Sequence, residues 1–262
     1  LIDEAVAIKE KQIALLKERK QILIQNAVTQ GLNPNAPMRD SGVTWIGKIP
    51  EHWKIVKLKL LSKKIVDGAH FTPTYVESGV PFLRVTDLTK MKNGKINWNA
   101  VRYIPEKEHQ ELIKRANPEK GDVLLSKNGT IGLTKVIDWQ CEFSFFVSLC
   151  LIKLKKNIEA HYFMSFFSSP LVDRQITFGS SRTSVTNLHL EKIKELLVIL
   201  PPLEEQTAIV AHIETQSAKI DQAIDLQQQQ IDKLKEYKAT LINSAVTGKI
   251  RVVKEDEMAV QP

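Results

Sequence analysis

Cysteine is nearly missing from this sequence. The two present, Cys141 and Cys150, flank an apolar β-like segment with no further Cys or His at metal-ligand spacing, which sets zinc modules aside. Both are read as thiols buried in a strand. Long apolar runs are missing too: the most apolar stretch, Phe143 to Leu154, is broken by Ser144, Ser148 and Lys153, well short of the roughly 18 residues of a membrane helix. The opening Leu1-Ile2-Asp3-Glu4 carries acid where a secretory leader needs basic and then apolar residues, so a soluble, cytoplasmic protein is expected. A nucleotide-binding loop is excluded as well. Gly42 to Lys48 has the spacing of one, but Ile49 stands where a Mg²⁺-ligating hydroxyl is required, and Pro50 follows. The six histidines are scattered singly, each read as a core or surface residue, and no cofactor or metal is expected.

What is present is a basic centre between less basic flanks. With 43% apolar residues in 262, the chain can bury a core. Residues 38–200 hold 25 basic against 16 acidic side chains, an excess of nine, whereas residues 1–37 hold five against four and residues 201–262 seven against ten. A positive domain points to a polyanionic partner, because Lys and Arg that displace condensed counterions supply most sequence-independent nucleic-acid affinity.

A repeat organises the chain. Ile2 to Thr29 aligns without a gap on Ile220 to Thr247, with 14 of 28 positions identical. Both copies read as amphipathic helices with apolar positions spaced alternately by four and three residues. One seam runs through Ile2, Val6, Lys9, Ile13, Leu16, Lys20, Leu23 and Ala27; its counterpart runs through Ile220, Ile224, Gln227, Ile231, Leu234, Lys238, Leu241 and Ala245. Two matching seams separated by a folded domain pair only if the chain turns back. The expectation is therefore an antiparallel coiled coil with the domain at one end, the alternative being that each helix packs on the domain. Pro201-Pro202, then Glu204 and Glu205, mark the start of the second helix, and Gly248 its end. From Leu203 to Thr247 it would measure roughly 65 Å at 1.5 Å per residue. The first copy lacks the stretch matching Leu203 to Lys219, so the chain is expected to be cut from something longer.

Between the copies, Gly31, Asn33-Pro34 and Pro37 form a linker, and the pattern turns mixed. Strand-like runs fall at 55–61, 80–85, 123–126, 131–137 and 143–154; helical patterns fall at 106–116, 159–167, 170–176 and 188–196. The fold class expected is α+β: one globular mixed domain inserted between two long helices. Its parts are a truncated first helix (1–32), the domain (33–200), the second helix (201–250) and a tail (251–262).

Several stretches resemble landmarks of one family. They are Ala27-Val28-Thr29-Gln30-Gly31-Leu32-Asn33-Pro34, Asp40-Ser41-Gly42-Val43-Thr44-Trp45-Ile46-Gly47 and Ile49-Pro50-Glu51-His52-Trp53. Further on come Phe82-Leu83-Arg84-Val85-Thr86-Asp87-Leu88, Gly121 to Ser126 with Gly129-Thr130-Ile131-Gly132, and Pro201-Pro202-Leu203-Glu204-Glu205-Gln206. In this order, over nearly the whole chain, they resemble the specificity subunits of type I restriction–modification systems. The resemblance implies the second target-recognition domain of such a subunit with its flanking helices. It also implies double-stranded DNA as ligand, and assembly with adenine-N6 methyltransferase (modification) subunits and an ATP-dependent restriction subunit. If a half-length form occurs naturally, self-association would restore two domains.

Three polar loops are candidates for DNA contact. In Gly179 to Asn187, short Ser180, Ser181 and Thr183 surround Arg182, the residue type that grips guanine O6 and N7, and Arg182 ranks first. Lys127, Asn128 and Thr130 form a second cluster of donors, and the loop around His70 a third. Arg84 is a further candidate, although with Asp87 it reads more readily as a structural ion pair inside a strand. Each loop could also be an ordinary solvated turn.

Catalysis finds no footing. The Asn-Pro-Pro-aromatic tetrapeptide of adenine methyltransferases does not occur, since Leu200-Pro201-Pro202-Leu203 lacks both the amide and the stacking ring. The expected role is non-catalytic, to read one half of a bipartite target. The competing readings are a coiled-coil scaffold whose domain binds a protein partner, and a hidden enzyme.

Overall fold

The computed structural model describes residues 1–92, 94–177 and 187–250. It divides into two compact units, one made of Leu1–Lys20 with the chain from Thr215 onward, the other of Gln21–Glu214. Each long helix contributes to both.

The elements follow in chain order. They begin with α1 (Ile2–Gln30), β1 (Met38–Asp40), β2 (Lys48–Pro50), β3 (Lys54–Lys57), α2 (Leu58–Leu61), β4 (Ser62–Asp67), β5 (Val80–Leu83) and α3 (Val85–Thr89). They continue with β6 (Arg102–Ile104), α4 (Glu106–Arg115), β7 (Val123–Ser126), β8 (Thr134–Val136), β9 (Ser144–Phe145) and β10 (Leu149–Leu154). The last are α5 (Ala160–Phe167), α6 (Pro170–Thr177), α7 (Leu190–Glu195), β11 (Leu197–Leu200) and α8 (Leu203–Val246).

The larger unit is built on an antiparallel sheet in the order β4-β10-β7-β8. Its middle strands are apolar without alternation because both faces are covered. Val123, Leu125, Cys150 and Ile152 enter one core with Tyr162, Phe163 and Phe166 of α5, Ala27 and Val28 of α1, and Ile209 and Ile213 of α8. Leu124, Leu149 and Leu151 enter a second core with Leu83, Phe143 and Phe145. A smaller mixed sheet, β6-β5-β9, packs beside it, with β5 parallel to β9.

The landmark residues hold the helix ends to this unit. The Trp53 indole Nε1–H donates to Glu205 Oε2 (3.0 Å), and the His52 ring meets Glu205 Oε1 (2.7 Å). Gln206 has its side chain buried; it donates to Pro201 O (2.9 Å) and Asn157 O (3.1 Å) and accepts from Glu159 N–H (2.8 Å). Gly31 ends α1 at φ +74°, a backbone conformation L side chains disfavour, and a Cβ there would lie 3.0 Å from the Trp53 ring.

In the smaller unit Val6 and Ile13 of α1 pack with Ile231, Ile224 and Leu234 of α8. Lys20 pairs with Asp221 (2.7 Å) and Asp3 with Lys238 (2.6 Å), so residue numbers rise along one helix as they fall along the other. Ile2, Leu16 and Leu241 are half-buried and Ile220 is buried; Leu23 packs instead on the large core of the other unit.

Several boundaries correct the sequence reading. The 55–61 run is not one strand: Leu58 and Leu61, three apart and both buried, turn into the core as a short helix. The 80–85 run ends at Leu83, where Arg84 caps α3, so Arg84 and Asp87 lie at a strand-to-helix junction rather than inside a strand. The 143–154 run breaks into β9 and β10 around a turn. Cys141 is exposed and outside any strand, whereas Cys150 is a buried strand thiol whose pKa burial raises to about 12. No helix among the described residues is long and apolar enough to cross a membrane.

Candidate functional site

Because β10 runs antiparallel to both β4 and β7, its first residues lie beside the last residues of both neighbours: Cys150 faces Asp67, and Leu149 faces Ser126. That edge gathers loops far apart in sequence. Asp67 ends β4, Lys127 follows β7, and Arg84 follows β5. Ser148, in the turn before β10, joins two of them: its carbonyl accepts from Lys127 N–H (2.9 Å), and its hydroxyl from Val85 N–H (3.3 Å).

Asp67 is the organising anion. Its side chain is 5% exposed, and it meets His70 Nε2 (3.0 Å), Arg115 Nη2 (2.5 Å) and Lys127 Nζ (3.6 Å). Burial alone would raise its pKa. The hydrogen bond from His70 and the charges of His70, Arg115 and Lys127 outweigh that and hold it below the usual carboxylate value. Gly68 continues the strand end, and only glycine fits, since a Cβ would fall 2.0 Å from Phe145 O. A cavity of about 210 Å³ opens here, lined by Asp67, His70, Phe71, Leu112, Arg115 and Phe145.

The predicted residues are placed unevenly. Ser180, Ser181, Arg182 and Thr183 lie outside the described residues. The chain re-enters directly at the site, where Leu188 N–H donates to Lys127 O (2.7 Å) and Asn187 bridges to Asn128. Thr130 is exposed and Asn128 half-buried. His70 is exposed beside an equally exposed Phe71. Lys127, expected as a solvent-facing loop donor, is instead buried, because the residue after β7 turns inward onto the Asp67 carboxylate. Arg84 is spent on Asp87: Nε and Nη2 reach the two carboxylate oxygens at 3.2 and 3.1 Å, and Asp87 also accepts from Arg84 N–H to box the start of α3.

Sequence reasoning missed Asp67, Arg115 and Ser148, which hold the cluster together. Arg115 ends α4, and its guanidinium is half-exposed beside the cavity. The signal for Asp67 was the glycine next to it, at a strand end beside a loop already suspected.

Residues 50–236 match a family model described as the type I restriction modification DNA specificity domain. The type I restriction enzyme MjaVIII specificity subunit of Methanocaldococcus jannaschii is 26% identical over 264 residues, covering 95% of this chain and 58% of that protein. The putative MjaX specificity subunit of the same organism is 28% identical, covering 95% and 55%. Among solved structures, the HsdS subunit from Thermoanaerobacter tengcongensis superposes with a TM-score of 0.57 at 17% identity, over 95% of this chain and 55% of that one. A chain from a study of complex assembly and conformational transition of the type I R-M system reaches 0.64 at 20% identity, over 92% and 55%. The chain thus spans a little over half the length of the relatives it matches.

Proposed function

Because the chain belongs to the family of type I restriction–modification DNA specificity domains, we propose that the unit Gln21–Glu214 binds double-stranded DNA and reads one half of a bipartite target. The two long helices then serve as an antiparallel coiled-coil spacer on which the methyltransferase subunits, and with them the restriction subunit, dock. The chain's contribution is binding and positioning, not turnover.

The observation that carries this reading is the convergence at one sheet edge of the His70 and Lys127 loops, picked separately from the sequence, with the chain at Asn187 and Leu188. His70 meets Asp67, Asp67 meets Lys127, and the Lys127 carbonyl accepts from Leu188 N–H. Buried Lys127 and Asp67 fix the edge; exposed Arg115, His70 and Thr130, together with Arg182, are the groups offered to DNA. Arg182 serves base readout and Arg115 phosphate. The excess of nine positive charges over residues 38–200 supports a polyanionic ligand. At 44 residues, α8 measures about 66 Å, nearly twice the ~34 Å of one duplex turn, which leaves room for modifying subunits between two reading heads.

The test is retention of random-sequence duplex at moderate salt, followed by a salt titration. A DNA reader binds and weakens steeply as salt rises, and Arg115→Ala lowers the slope of log K against log salt by about one. A scaffold whose domain binds protein shows no retention.

A further inference from the structure

We propose that Glu106, His109 and Glu142 form a binding site for a first-row divalent cation of the Zn²⁺ class, which ties the start of α4 to the segment entering β9. One ligand atom from each lies within 4.8 Å of the others. Glu106 and His109 stand three apart on α4 and share a face of the helix. Acid in a first helical turn has an ordinary explanation in the helix dipole, so the two carboxylates alone would indicate nothing.

His109 is the independent observation. Its side chain is 1% exposed, and among the described residues its Nε2 has no hydrogen-bond partner. That nitrogen points at Glu142, 3.4 Å away. The other ring nitrogen, Nδ1, is engaged by the Ser144 hydroxyl at 2.9 Å. With the proton on Nδ1 and donated to Ser144, Nε2 turns an uncompensated lone pair toward a carboxylate, which is repulsive. A cation between them removes the repulsion and fills the vacant coordination of both. A ligating imidazole fixed through its other nitrogen is the usual arrangement in metal sites. One imidazole with two carboxylates suits Zn²⁺ and its neighbours, whereas Mg²⁺ and Ca²⁺ prefer oxygen alone. Glu106 and Glu142 are exposed, so both can close on an ion. Because α4 also carries Arg115, the ion would steady the helix that presents that guanidinium.

The experiment titrates Zn²⁺ by calorimetry into the whole chain after chelator treatment, with melting followed in parallel. One equivalent is expected, with a melting temperature raised by about 5 °C at a hundredfold excess over Kd. Glu106→Gln and Glu142→Gln should each weaken binding about tenfold or more, with the metal-free melting temperature unchanged in Glu106→Gln and not lowered in Glu142→Gln, whose amide relieves the repulsion at Nε2. These surface substitutions keep the test sound even if His109→Asn does not fold. Cys141→Ser should bind as the parent does. Failure of the parent chain to bind, undiminished binding in both glutamine variants, or loss of binding in Cys141→Ser would each overturn the assignment.

Discussion

The carboxylate of Asp67 and the ammonium of Lys127 lie 3.6 Å apart, both buried, where the sheet edge meets the loops proposed to contact DNA. Removing Asp67 leaves the Lys127 ammonium without its counter-charge in a poorly solvated place, whereas removing Lys127 leaves Asp67 paired with Arg115 and His70. Asp67→Ala is therefore expected to cost about 3–5 kcal/mol, and Lys127→Ala less, because Arg115 and His70 still hold the carboxylate. Arg115→Ala removes a half-exposed partner and should stay within about 1 kcal/mol. Urea denaturation of the three variants checks the order; equal losses would mean that the buried pair has no special place.

The same carboxylate sets an acid limb in the stability profile. A group whose pKa is depressed by folding contributes stability above its unfolded value, near 3.8 for Asp67, and loses it as pH falls through the lower folded value. Glu195, held at about 2 by hydrogen bonds from Lys57 and Lys59, acts in the same sense. Between pH 7 and pH 3 the parent chain should lose more stability than Asp67→Asn, which has no carboxylate to protonate there. Denaturation midpoints at the two pH values measure the difference.

At the helix ends, Gly31→Ala forces a side chain into φ +74° and onto the Trp53 ring, and should destabilise by more than about 1 kcal/mol. Trp53→Phe keeps much of the ring and loses the bond to Glu205, worth roughly 1 kcal/mol. Thermal melting distinguishes these from a surface change such as Thr130→Ala, expected within about 0.5 kcal/mol.

Within the paired segments of the long helices, Ile231 is 1% exposed and Leu226 is 59% exposed. Ile231→Ala should cost about 2–4 kcal/mol and Leu226→Ala close to nothing, as read by chemical denaturation. Equal costs would mean that the apolar register given for the pair is wrong.

The two cysteines provide a further check on packing. Cys141 is exposed, whereas Cys150 is buried with its pKa raised to about 12. A thiol-alkylating reagent should modify one residue, Cys141, in the native chain and both in denaturant. Rapid native labelling of Cys150 would contradict the doubly covered sheet.

Legibility in the sequence followed the reach of the interactions. The bounds of α8 were readable to within a residue, because Pro201-Pro202 and Gly248 act locally and the seam repeats over many turns. β7 was readable as Val123–Ser126, its apolar run bounded by turn residues. The three-residue strands β1, β2 and β6 were not, because Met38-Arg39-Asp40, Lys48-Ile49-Pro50 and Arg102-Tyr103-Ile104 carry no pattern of their own and become strands through partners elsewhere in the chain. β4 was missed for the same reason, whereas β11, Leu197-Val198-Ile199-Leu200, is an apolar run before Pro201 that was overlooked. At the site, polar loops with glycine could be picked out one by one. That Lys127 is buried on Asp67, and that Arg115, 48 residues away, is a partner of the same carboxylate, follows from contacts that no local pattern announces.

The central claim, that the unit Gln21–Glu214 reads DNA sequence through this edge and the Arg182 loop, is tested most directly by selection from a pool of randomised duplexes, comparing the parent chain with Arg182→Ala. The account predicts one enriched motif for the parent, and for the variant the same motif with preference relaxed at one base pair, a discrimination of roughly 1–3 kcal/mol. No enriched motif for the parent, or an unchanged motif for the variant with affinity lost equally for every sequence, would contradict it.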